Sequence, residues 1–181
     1  MTERPVESEY APYYHKYIAL VPDGAVADTL ESQIAETLAL LASIGEADGD
    51  RAYAPGKWTV KEVVGHMADT ERIFTYRALR AARGDDTPLP GFDENTYVPA
   101  GEFGGRTLAS LADELAAVRA ATVALFRNLP APAWSRRGVA NGTPFAVRAI
   151  AWIAAGHELH HRGLFRTRYL PALASGGAAA E

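Results

Sequence analysis

Apolar residues recur at a helical interval in four long segments of the chain, and no long segment alternates as a half-buried strand does. The first segment runs from about Ala25 to Ile44, with Leu30, Ile34, Leu38, Leu41 and Ile44 on one stripe and Gly45 after it. The second opens at Thr59, whose hydroxyl can cap the first turn while Glu62 reaches back, and it carries Val63, Met67, Ile73 and Phe74 to about Ala82. The third opens at Thr107 and places Leu108, Leu111, Leu115, Val118, Val123 and Phe126 ahead of the break at Pro130. For the fourth, Thr143 and Pro144 predict a cap followed by proline in the first turn. Ile150, Ile153, Ala154, His157, His161 and Leu164 then share one side, and the helix is expected to end near Arg168. The expected fold is all-α, a four-helix bundle in one domain over residues 1–181, with an N-terminal arm over 1–22 and a frayed tail over 172–181. The link from Gly84 to Gly105 is far longer than the roughly 2–8 residues usual between bundle helices. It is expected either to cross the bundle or to form a lid.

Composition narrows the chemistry. The chain has 181 residues, a net charge of -4 and no cysteine. A slightly acidic protein without basic runs lacks the footprint of a nucleic-acid or anionic-membrane binder. Without thiols there is no disulfide, iron–sulfur cluster or cysteine nucleophile, so a metal must be held by His, Asp or Glu. The stretch from Met1 to Tyr17 lacks the basic and apolar regions of a signal peptide, and the apolar run Phe145–Ala155 is too short to span a bilayer. A cytoplasmic protein without a membrane segment is expected.

Histidine carries the candidate chemistry. Three of five histidines fall in Gly156-His157-Glu158-Leu159-His160-His161-Arg162-Gly163. His157 and His161 are four apart, so on a helix their Cβ atoms are about 5–6 Å apart on one face, where both rings can reach one ion. His66, in Val63-Val64-Gly65-His66-Met67-Ala68-Asp69-Thr70, shares a helical face with Val63, Thr70 and Ile73 and is expected to point inward from the second helix. Three imidazoles from two helices would make a neutral ligand set with an open coordination position, as catalytic sites have. His160 lies close to the same face, where it could replace a ligand or support one. His15 is expected at the surface.

The run His157-Glu158-Leu159-His160-His161 also matches the H-E-x-x-H signature of zinc proteases. Such proteases need a further ligand downstream, and after His161 the only carboxylate is Glu181, so this reading is set aside. Glu158 is expected off the ligand face, paired with Arg162. Asp69 is expected to orient His66, to act as a base or to be a solvated helix charge, and Glu71 to join a surface ion pair. Trp58, Trp134 and Trp152 are expected as core or interface anchors. Phe92, Tyr97 and Phe103, in the long link, are candidates for a substrate wall.

The segment from Lys57 through Trp58, Thr59, Glu62, Gly65 and His66 to Asp69, followed much later by Gly156-His157-Glu158-Leu159-His160-His161-Arg162-Gly163, resembles the DinB/YfiT family. Phe92-Asp93-Glu94-Asn95-Thr96-Tyr97 is similar to the acidic, aromatic loop of YfiT-type members. The resemblance extends from about Leu30 to Tyr169, although Leu164 stands where many members have glutamine. It implies a four-helix bundle with a divalent metal, commonly zinc or nickel, on His66, His157 and His161. It further implies a small-molecule substrate and allows a homodimer. Relatives include transferases of low-molecular-weight thiols such as bacillithiol or mycothiol, and others similar to maleylpyruvate isomerase. The leading expectation is a thiol S-transferase; a metal-dependent hydrolase or a noncatalytic metal- or ligand-binding bundle are the alternatives.

Overall fold

A computed structural model describes residues 3–175. Four long helices dominate it: α2 (Val26–Ala42), α3 (Val60–Ala82), α5 (Leu108–Arg127) and α6 (Val147–Leu164). Short pieces surround them: α1 (His15–Ile18), α4 (Glu94–Ala100), the hairpin strands β1 (Arg137–Ala140) and β2 (Thr143–Ala146), and α7 (Leu170–Ala174). Both α2 and α3 pack against α5 and α6, so the first two long helices sit diagonally across the bundle. That arrangement places α3 beside α6, and with them the two histidine motifs.

Caps explain two of the starts. Thr59 Oγ1 accepts from the Glu62 amide at 3.2 Å while the Glu62 carboxylate accepts from the Thr59 amide at 2.7 Å, the reciprocal box expected from the sequence. Thr107 accepts from the Ser110 amide at 3.1 Å and opens α5. The fourth helix differs from expectation. Thr143 and Pro144 belong to β2, and α6 begins only at Val147. Asn141 and Gly142 take left-handed angles (φ 51° and 71°), the requirement of a tight hairpin turn, and this Asn-Gly pair folds β1 onto β2. The all-α expectation is corrected by this two-stranded hairpin. At its other end α6 runs into a π-helical stretch, Phe165–Tyr169, and then α7, which continues through Ala174. The tail expected from residue 172 lies, from Gly176 onward, outside the described residues.

The long link is structured. Asp93 caps α4 by accepting from the Asn95 amide at 2.9 Å. The Leu89 amide donates to the Val139 carbonyl at 2.9 Å and the Asn141 amide to the Leu89 carbonyl at 3.0 Å, which ties the link to the hairpin. The N-terminal arm also packs down. Arg4 donates to the carbonyls of Ile18 (2.8 Å) and Val21 (2.7 Å), and Arg148 on α6 grips the Glu9 carboxylate at 2.7 and 2.9 Å. Where α1 meets α6, a Cβ on Gly156 would stand 2.1 Å from the Tyr17 carbonyl oxygen, so only glycine permits this approach.

The buried apolar residues form two clusters, one toward each end of the bundle. Between them lies a buried polar layer: Gln33 and Thr37 on α2, Thr70 and Glu71 on α3, Arg119 and Thr122 on α5, and His157, Glu158, His161 and Arg162 on α6. A polar layer across the middle of a core is stable only if its groups satisfy one another. No helix of the described residues is long and apolar enough to cross a membrane.

Candidate metal centre

His66 from α3 and His157 and His161 from α6 converge in the polar layer, and one nitrogen of each lies within 4.8 Å of the other two. His157 Nε2 is 3.1 Å from His66 Nε2 and 3.1 Å from His161 Nε2. A ring nitrogen has one in-plane lone pair or one proton, so His157 Nε2 can complete only one of these two contacts as a hydrogen bond. Nitrogens bound tetrahedrally to one zinc at about 2.0–2.1 Å stand about 3.3 Å apart, so the two 3.1 Å spacings suit a shared ion better than a hydrogen-bonded cluster. His66 Nδ1 lies 3.3 Å from Thr70 Oγ1; with Nε2 ligating an ion, Nδ1 would carry the ring proton and donate it to Thr70. Thr70, one turn on, thus fixes this ring. Nδ1 of His161 is buried without a hydrogen-bond partner among the described residues.

Burial also sets the charge state. It pushes His66 down to about 4. His157 and His161 are pushed well below the usual histidine value, first by burial and then by the neighbouring imidazoles. All three rings are therefore neutral near pH 7, with lone pairs free to ligate.

Behind the triad, the layer is held by one arginine. Arg119 on α5 donates to both oxygens of Glu71 at 2.8 and 2.7 Å, to the Leu30 carbonyl at 2.9 Å, and to Glu158. Thr37 and Gln33 from α2 also donate to Glu158. Burial opposes the Arg119 charge, but the Glu71 and Glu158 carboxylates outweigh it and its pKa ends raised. Glu71 is therefore not a surface pair, and Glu158 does not pair with Arg162. Arg162 turns instead to the Gln33 carbonyl (3.0 Å) and to Glu36 (3.3 Å). The sequence shows neither partner of Glu71 or Glu158, because the guanidinium joining them comes from a third helix. Asp69 sits beside Arg72 at 3.3 Å, half-buried, with its pKa pushed up by burial, while the orienting contact to His66 comes from Thr70.

A cavity of about 350 Å³ opens onto His66 and His157. Phe92 lines it, as expected of the long link. Tyr97 does not line it and instead meets the Phe92 ring edge-on, with ring centroids 5.4 Å apart. Phe103 lies in the other apolar cluster, against Gly65. The remaining wall is a surprise of position: Tyr13, Tyr14 and Tyr17 from the N-terminal arm line it, together with Arg77 and Glu94. The Tyr17 ring meets both His157 (5.4 Å) and His160 (5.3 Å) edge-on. His160 is half-buried outside the triad. His15 contacts the Tyr10 hydroxyl through Nδ1 at 3.2 Å. Trp58 packs against the second apolar cluster, as an anchor does, and its ring also lies 4.8 Å from that of His66. Trp134 stacks on Phe126 and Trp152 lies beneath Arg4.

The sequence model of the DinB superfamily matches residues 29–165. Among solved structures, YfiT from Bacillus subtilis, described as a probable metal-dependent hydrolase with an unusual four-helix bundle topology, superposes with a TM-score of 0.70 at 18% identity. The match covers 96% of this chain and 94% of that one. A mycothiol-dependent maleylpyruvate isomerase superposes with a TM-score of 0.66 at 15% identity over 81% of this chain, which spans 61% of the isomerase's length. No curated protein matches the sequence. At such identities the structural likeness establishes the fold.

Proposed function

The chain belongs to the DinB superfamily, and from that premise we propose a metal-dependent enzyme whose zinc or nickel ion is held by His66, His157 and His161. Its reaction is transfer of a low-molecular-weight thiol to a small electrophile. The observation that carries this reading is the convergence of three buried, neutral imidazoles, two of which, His66 and His157, face an aromatic-walled cavity. A bound divalent ion supplies a Lewis acid that lowers the pKa of a thiol or water at its open position. The chain's own part is to fix the ligands and exclude bulk water. Thr70 orients His66, the Arg119 layer holds α6 in register, and Tyr14, Tyr17 and Phe74 wall the cavity beside the triad. Since the protein has no cysteine, a reacting thiol must be brought in as a free molecule. The likeness to a mycothiol-dependent enzyme supports that source.

A second reading, metal-dependent hydrolysis, is favoured by one residue. Glu94 places a carboxylate on the cavity wall, where it could take a proton from water, and YfiT is described as a hydrolase. The two readings separate in one assay. Metal-loaded protein is incubated with bacillithiol, mycothiol or glutathione and monochlorobimane. The expected result is metal-dependent S-conjugate formation with at least one thiol, abolished by chelator. Conjugation unchanged by chelator, or none, rejects the transferase, and metal-dependent ester cleavage in its place would establish the hydrolase.

A further inference from the structure

We propose that Arg77 is the carboxylate-recognising residue of this cavity, so that the substrate is a small carboxylate anion with an apolar body, held with its reacting end toward the histidine triad. The proposal deepens the enzyme reading above and rests on it for the word substrate, though the binding itself does not.

Three arginines are buried among the described residues: Arg77, Arg119 and Arg162. Arg119 is matched by Glu71 and Glu158, and Arg162 by Glu36. Arg77, at 5% exposure, forms no ion pair with a described carboxylate. Its acceptor is the Pro90 carbonyl at 2.9 Å, the Tyr14 hydroxyl is close by, and its guanidinium lies 5.7 Å from the Phe92 ring centroid. A guanidinium has five N–H donors and remains charged at any pH a protein survives. A buried, unneutralised cation is costly, and it is kept where an anion arrives to complete it. Burial pulls the Arg77 pKa down, and the neighbouring Tyr14 hydroxyl offsets it only in part.

Position supports the assignment. His66, Thr70, Phe74 and Arg77 all line the one cavity. Their spacing of four, four and three residues keeps them on one face of α3, with Arg77 three turns, about 16 Å of helix axis, beyond His66. A ligand bridging the two ends meets aromatic walls from Tyr14, Tyr17, Phe92 and Phe145 between them. Glu94 shares the cavity and disfavours a dianion such as phosphate, so a singly charged carboxylate fits best.

The test uses 3-phenylpropionate and its uncharged amide as probes of the full chain, with dissociation constants read by ligand-observed NMR. The acid should bind about tenfold more tightly than the amide. Arg77→Gln should bring the two to parity, and Arg77→Lys should retain part of the preference. The comparison is run on metal-loaded and on chelator-treated protein. A preference that persists without metal assigns it to Arg77, whether or not the thiol-transfer assay succeeds. Equal binding of acid and amide by the unaltered protein, binding of neither, or a preference that vanishes with the metal would each overturn the proposal. The unaltered protein alone can therefore decide against it, even if the variants fail to fold.

Discussion

Replacing Arg119 by alanine is expected to lower the unfolding free energy by about 3–5 kcal/mol, read as a lower urea midpoint at an unchanged slope. The side chain joins all four long helices: it bonds the Leu30 carbonyl of α2, both oxygens of Glu71 on α3 and the Glu158 carboxylate of α6, from its own place on α5. Deleting it leaves two buried carboxylates without a counter-charge in the layer between the apolar clusters, with Gln33 and Thr37 remaining as donors to Glu158. The penalty belongs to the stranded charges more than to the lost attraction. Arg119→Met combined with Glu71→Gln and Glu158→Gln should therefore recover most of the stability. A single variant as stable as the parent would show that the layer is solvated. Since Glu158 lies between the two triad residues of α6, the single variant should also weaken metal binding.

Changing His157 and His161 together to alanine is expected to remove the metal. Protein purified without chelator should carry about one equivalent of divalent ion by mass spectrometry, and the double variant close to none. Altering one outer-shell partner of a metal ligand typically costs 10–100-fold in affinity, so losing two of three ligands should exceed about 100-fold. Stability gives a second readout. An ion held only by the native state, at a concentration about a thousand times its dissociation constant, adds about 4 kcal/mol. Added zinc or nickel should thus raise the melting temperature of the parent and leave that of the double variant unmoved. Equal metal content in the two proteins would place the ion elsewhere.

Much of this site is legible in the sequence because its signals are local. The four-residue interval between His157 and His161, and the alignment of His66 with Val63 and Thr70, follow from helical period alone. The caps at Thr59 and Thr107 act within three residues and are equally readable. Sequence and structure part where two local signals compete. Thr143-Pro144 has the form of a helix start, but the adjacent Asn141-Gly142 turn pairs those residues with Arg137–Ala140, and the hairpin takes them. What stayed hidden depends on distant segments meeting. Glu71 and Glu158 are charges on helices until Arg119 arrives from α5. The tyrosines of the arm become a cavity wall only because Gly156 lets Tyr17 press against α6. Arg77 had a readable signal, its place three turns from His66 on the same face, but the absence of a carboxylate partner is visible only in three dimensions.

The sharpest measurement is X-ray absorption at the zinc or nickel edge on the metal-loaded protein and on its His66→Ala variant. The expected spectrum is three imidazole nitrogens with at least one further light ligand, about 2.0–2.1 Å from the absorber for zinc, falling to two imidazoles in the variant. An imidazole count that is the same in both proteins would mean that the ring from α3 does not share an ion with the pair from α6.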